Sequence, residues 1–276
     1  MIKREGIRFC RKHGSSLLHF ENTREATLEN LIYDVGLFDG SDTAYYLARG
    51  YNVVAIDANP VFIESAKERF CNQVSNGRLT LINVGIGPSR GSATFWISDH
   101  ADWSSFDRLI ASRDGTAHRP ITVPTIPFAD ILSDYGTPHY LKIDIEGCDR
   151  LCIEALRGKM LPRFISAESE CVSDHSELSD DEATSMLRLL HDVGYKGFKL
   201  INQYYLLPQQ LVFTDREGIA NIWLFNAGAT GPWGNDIPGG WMSFDVARTL
   251  YLRSRHKFFE TQRPLYSFWY DWHATY

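Results

Sequence analysis

Two short acidic stretches hold the residue types best suited to chemistry. "LKIDIEGCD" (Leu141–Asp149) carries Asp144 and Glu146, and "RFISAESE" (Arg163–Glu170) carries Glu168 and Glu170, with His175 five residues further on. In an extended chain Asp144 and Glu146 point to the same side. A carboxylate at a strand end can take the proton of an attacking hydroxyl. Several together can hold Mg²⁺ through hard oxygen ligands, with Asp144, Glu168 and Glu170 as the set. His175 titrates near neutral pH. The same acids also serve as N-caps or solvated turn residues where a strand runs into a helix, and Lys142 can pair with one of them.

A third stretch is "YDVGLFDGSDTAYYLARGYNVVAIDANP" (Tyr33–Pro60). It reads as strand, glycine bend, helix, and a second strand that ends in Asp57, 23 residues after Asp34. The bend, Asp34-x-Gly36-x-x-x-Gly40, offers backbone N–H groups beside a helix N-terminus. A carboxylate in the position of Asp57 can accept two hydrogen bonds from a ribose diol. A dinucleotide site would need G-x-G-x-x-G so that the backbone could close on a pyrophosphate. Here Leu37, Phe38 and Asp39 stand between the glycines, and Asp39 and Asp42 repel phosphate. The pattern suits a cofactor with a nucleoside end, an amino-acid end and no phosphate, and S-adenosylmethionine (SAM) meets that description.

The elements that must position these residues alternate. Strands are expected at 30–35, 52–56 and 79–84, with helices over 41–49 and 60–74 between them. A β-α-β-α-β run with short loops implies a parallel sheet covered on both faces. Residues 91–98 read as an inserted strand and 101–120 as irregular. Further on come a helix at 128–135, a strand at 139–145, a helix at 150–157 and a strand at 163–167. A helix at 179–193 opens on a capping box. Strands at 197–202 and 221–225 read as the last two, followed by a Gly/Pro-rich loop over 227–240 and a helix over 243–260.

The chain has 276 residues, 44% of them apolar, and a net charge of −6. That charge argues against nucleic acid, whose phosphates demand a surplus of Lys and Arg. No apolar run is long enough to span a membrane, and the start lacks the apolar core of a secretory signal. The five cysteines form no C-x-x-C pair, which suggests reduced thiols in a cytoplasm.

On "YDVGLFDGSDTAYYLARGYNVVAIDANP", "LKIDIEGCD" and "RFISAESE", in that order, the chain resembles the FkbM-type SAM-dependent methyltransferases. The resemblance implies a class I methyltransferase fold. This is a three-layer, Rossmann-like α/β sandwich whose seven-stranded sheet is mostly parallel, the last strand running antiparallel. It implies SAM as cofactor, no required metal, and methyl transfer to an oxygen of a saccharide or natural product. Carried onto this chain, it puts Asp34, Gly36 and Gly40 at the methionine end, Asp57 on the ribose and Ala58 against the adenine. Asn83 is then an adenine-edge contact, or else an ordinary strand-end Asn. Asp144 is assigned to the SAM amino group or the acceptor, and Glu146 to the acceptor. Glu168 and His175 are further candidate bases or orienting groups.

Residues 1–28 read as a leader, 29–226 as the methyltransferase domain, and 227–276 as an extension on or near the acceptor site. In that extension Trp233 and Trp241 are expected to offer a sugar platform, while Trp269 and Trp272 are expected to pack the tail. The partner is a small-molecule or glycan acceptor, with homo-oligomerisation left open. N-methylation and a catalytically silent SAM-binding scaffold are the competing readings.

Overall fold

The computed structural model describes residues 28–169, 178–203, 210–225, 230–261 and 268–276. The first half follows the expected alternation: β1 (Leu28–Val35), α1 (Ser41–Ala48), β2 (Asn52–Asp57), α2 (Pro60–Arg69), α3 (Cys71–Ser75) and β3 (Leu79–Asn83). Asn59 caps α2 by accepting from Val61 N at 3.0 Å, with Pro60 in the first turn, where its missing N–H costs nothing. The helix expected over 60–74 breaks at Phe70, which leaves helical geometry.

A small sheet is inserted next. It comprises β4 (Gly85–Ile86), β5 (Gly91–Ser98) and β6 (His118–Ile126), with the short α4 (Arg108–Ala111) between β5 and β6. The irregular reading of 101–120 misses the start of β6. Pro120 and Pro124 break the strand signal, yet β6 pairs antiparallel with β5 along its length and takes β4 only at Thr125 and Ile126. Most of its other edge carries no ladder for a proline to interrupt.

The chain then continues through α5 (Phe128–Tyr135), β7 (Pro138–Ile143), α6 (Asp149–Glu154), β8 (Phe164–Glu168), α7 (Asp180–Ala183), α8 (Ser185–Val193) and β9 (Gly197–Asn202). The predicted capping box is present at Ser179 and Glu182. Last come β10 (Gln210–Thr214), β11 (Ala220–Leu224), α9 (Phe244–Glu260) and β12 (Tyr270–Thr275).

The main sheet has seven strands in the order β3-β2-β1-β7-β8-β12-β9. β12 runs antiparallel to both β8 and β9, and the other pairs are parallel. The class I arrangement is therefore present, but its closing strand is β12. The stretch 221–225 instead forms a two-stranded hairpin with 210–214. Its alternation places Phe213 and Trp223 against Tyr45 of α1 and leaves Val212, Ile222 and Leu224 outside. Half-buried alternation is what a sheet edge and a hairpin share, so the pattern could not tell them apart.

One face of the sheet is apolar. Tyr33, Leu141, Ile165, Trp272, Ala274 and Phe198 pack there against α5, α6, α8 and α9. The other face carries a buried polar row. Asp34, Lys142, Ser166, His273 and Lys199 lie side by side in register across five strands. Most members of the row are bonded, as buried polar groups require. Thr43 donates to Asp34, Tyr140 and Ser166 share a 2.6 Å bond, and Lys199 donates to the Gly234 and Ile237 carbonyls. Burial and nearby Lys199 push His273 down to about 3, so it is neutral. Two residues on, toward the carboxyl end of β8, Glu168 faces Asp271.

Trp272 is fully buried at the centre of this closure. Trp272→Ala should cost about 3–5 kcal/mol, read as a lower midpoint in urea unfolding. An unchanged midpoint would remove β12 from the folded core.

Candidate active site

The carboxyl ends of β1, β2 and β7 open onto a cavity that continues under the inserted sheet. Its shape begins with Gly36. This residue has φ +93°, and a Cβ there would lie 1.8 Å from the Asp144 carbonyl. Only glycine lets β1 turn away so close to the end of β7. Gly40 is also left-handed, at φ +75°, but it faces Phe70 and Arg69 at the end of α2 rather than the cavity. It enters the helix; it does not line the site.

The bend keeps most of its N–H groups for itself. Gly36 N and Leu37 N donate to Ile56 O, Phe38 N to Asp57 Oδ2, Gly40 N to Leu37 O and Ser41 N to Asp39 Oδ1. Phe38 takes a left-handed φ of 49°, a strain of roughly 1–2 kcal/mol. Asp57 is pinned by Phe38 N at 2.9 Å and Asn59 N at 2.7 Å. Burial nevertheless pushes it up to about 6. Asp57 and Ala58 line the cavity with Phe38, Phe62 and Val84 nearby, a polar edge beside an apolar slot. Asn83 is not a lining residue; its amide donates to the Asp57 and Ala58 carbonyls and braces that strand end.

Beneath the bend sits Lys142. Its ammonium donates to Gly36 O at 2.6 Å and lies 3.1 Å from Asp34 Oδ1, 3.8 Å from Asp144 Oδ2 and 3.9 Å from Asp42 Oδ2. Burial opposes its charge, but Asp34, Asp144 and Asp42 overcome that and raise it well above its usual value. Asp34 is fully buried and also accepts from Thr43 Oγ1 at 2.6 Å. It anchors the floor and does not line the cavity. Asp42 accepts from Thr230 and Gly231, so the loop after residue 229 is tied to the head of α1.

The expected acids converge. Asp144, Glu146 and Glu168 each offer an oxygen within 4.8 Å of the others, close enough to hold a metal together. Asp144 and Glu146 line the cavity. Glu146 has φ 46°, its carbonyl accepts from Ser105 Oγ at 2.7 Å, and its carboxylate is 3.2 Å from Arg113. Burial drives Glu146 up to about 8 against the opposing Arg113, and burial with Glu146 and Asp144 close by holds Glu168 well above the usual range. Glu170 and His175 lie outside the described residues.

Several site residues carried no signal in the sequence. Ser104, Phe106 and Asp102 reach the cavity from the inserted segment. Asp271 lies behind it, bonded to Gln203 and pushed up to about 8 by burial and then Asp144. Trp272 packs into the core, as expected, but for the other three tryptophans the expectation reverses. Trp233 is buried against Tyr140, stacked at 5.0 Å, and Trp241 stacks on Phe164. Trp269 is the one that lines the cavity. Aromatic content alone cannot say which ring a distant strand will deliver to a site.

Residues 34–196 match the methyltransferase FkbM domain. No curated protein matches the chain. Three solved structures are similar to it. Precorrin-6y C5,15-methyltransferase from Geobacter metallireducens is 13% identical over 74% of this chain and 83% of that one, with a TM-score of 0.36. Precorrin 8w decarboxylase from Methanobacterium thermoautotrophicum is 14% identical over 74% and 80%, with a TM-score of 0.35. A SAM-dependent methyltransferase from Agrobacterium tumefaciens is 15% identical over 91% and 57%, with a TM-score of 0.34.

Asp57→Ala should weaken SAM binding by about tenfold or more in calorimetry, as expected for losing a charged hydrogen-bond acceptor. A ribose diol is best accepted by the ionised carboxylate. SAM affinity should therefore also fall as the pH drops below about 6 and Asp57 protonates. Affinity indifferent to both would detach Asp57 from the cofactor.

Proposed function

This chain belongs to the FkbM methyltransferase family and uses SAM, and we propose that it methylates an uncharged hydroxyl of a saccharide or natural product, with Glu146 as the base. The carrying observation is Glu146 itself: a strained, mostly buried carboxylate on the cavity wall, beside Asp144 and within reach of Arg113.

SAM supplies an electrophilic methyl group on a sulfonium. The protein's part is then to hold the acceptor in line and to receive its proton. A sugar hydroxyl is far too weak an acid to ionise before attack. Glu146 orients it by accepting its hydrogen bond, then takes the proton as the new C–O bond forms and the S–CH₃ bond breaks. Asp144 stands between the base and Lys142, where it would meet the amino-acid end of the cofactor. Glu168 stands behind Glu146, and the negative charges around it favour a proton on this cluster.

Asp39, Asp42, Asp57, Asp102, Asp144 and Glu146 all line the cavity, against one described cation, Lys142. This supports a cationic cofactor and an acceptor without phosphate near the methylated oxygen. Trp269, at the head of β12, supplies an aromatic face on which a sugar can rest. That supports a role for part of the 227–276 stretch at the acceptor side. Transfer of labelled methyl from SAM to neutral sugars or glycans tests the reading directly; exclusive transfer to amines would replace it.

Glu146→Gln should leave SAM affinity intact and lower kcat by about 10²–10⁴. The base works ionised, so the wild-type rate should rise with pH and level off above about 8. Arg113 lowers the Glu146 pKa, so Arg113→Met should move that midpoint upward. A flat profile, or a Gln variant with normal kcat, would remove Glu146 from the mechanism.

We also expect turnover without added divalent metal. Activity lost in EDTA and restored by Mg²⁺ would turn Asp144, Glu146 and Glu168 into ligands.

A further inference from the structure

The Lys142 ammonium has three protons and two close acceptors. Gly36 O lies at 2.6 Å and Asp34 Oδ1 at 3.1 Å. The next acceptors, Asp144 Oδ2 at 3.8 Å and Asp42 Oδ2 at 3.9 Å, are beyond hydrogen-bond reach. Lys142 nevertheless lines the cavity. One donor is therefore left without a near partner among the described residues, beneath the bend between Gly36 and Asp144.

An anionic group entering this cavity has few other places to go. The glycine bend would ordinarily offer backbone N–H groups. Here five of the six from Gly36 to Ser41 already donate within the protein. The remaining one, at Asp39, is neutral and belongs to a residue that is itself acidic. The walls are carboxylates, and Lys142 is the one cation among the described lining residues.

We propose that Lys142 binds the cofactor, its third N–H receiving the α-carboxylate at the methionine end of SAM. The inference rests on the SAM site described above. The sulfonium and the ammonium of SAM suit the acidic walls. Its carboxylate does not, and needs a fixed positive partner to enter among Asp39, Asp42 and Asp144. Lys142 provides that partner while it also holds the Gly36 carbonyl, so the bend and the carboxylate contact are set by one ammonium. A purely structural Lys142 would pin Asp34 and Gly36 and contribute nothing to the recognition of the carboxylate.

The test compares SAM with decarboxylated SAM, which keeps the sulfonium and the ammonium and lacks the carboxylate. The acidic walls alone favour decarboxylated SAM, because it carries more positive charge. A charge-assisted hydrogen bond from Lys142 reverses that order, and calorimetry on the wild-type protein should show SAM bound about tenfold or more tightly. Equal affinities, or a preference for the decarboxylated form, would overturn the proposal without any variant. Lys142→Met, where circular dichroism shows it folded, should lose the preference; a retained preference would equally overturn the assignment. Failure of the underlying site has a different signature: SAM affinity would then be unchanged in Asp57→Ala, whatever the order of the two ligands.

Discussion

One buried ammonium organises the site. Lys142 draws Asp34 of β1, Asp144 after β7 and Asp42 of α1 around itself and fixes the Gly36 carbonyl at 2.6 Å. β1 and β7 are also joined at this end by Asp144 N donating to Val35 O at 2.9 Å, and Gly36 passes so close that a Cβ would lie 1.8 Å from the Asp144 carbonyl. The arrangement is costly to break in part: removing one partner of a buried pair leaves an uncompensated charge, typically about 3–5 kcal/mol. Its value therefore lies less in net stability than in fixing where the bend and the acids sit.

Charge in this region is deliberately out of balance. Asp57, Asp149 and Asp271 are all pushed upward by burial, along with Glu146 and Glu168. Two cations, Lys142 and Arg113, stand among them. Carboxylates in such a place either keep protons or await a positive ligand. Both responses serve methyl transfer. A cationic cofactor gains from the field, and a carboxylate titrating near neutral pH is matched to receive a proton in the reaction.

The wall of the site is assembled from segments far apart in sequence. The inserted sheet brings Ser105 to the Glu146 carbonyl. Thr230 and Gly231 bind Asp42 across 188 and 189 residues of chain. β12 inserts between β8 and β9, and this brings Trp269 to the cavity wall and Asp271 behind it. The strand that closes the sheet thus also helps to complete the cavity wall.

The sequence by itself determined the β-α-β opening, the glycine bend, the strand-ending Asp57 and the acids of the "DIEG" turn. These depend on local periodicity, on the positive φ that glycine permits and on acids at strand ends, all of which are written within about thirty residues. Only the tertiary structure decided that the bend's N–H groups are spent internally, that Asn83 braces a strand end, and that Gly40 faces a helix. It also decided that Trp233 is core while Trp269 is site, and that 270–275 rather than 221–225 closes the sheet. Each of these turns on which distant strand lies alongside. That choice is made by the burial of whole faces, such as Trp272 against the apolar layer and Phe213 and Trp223 against α1. A period of two along the chain records that a strand has one buried face, and says nothing of what buries it.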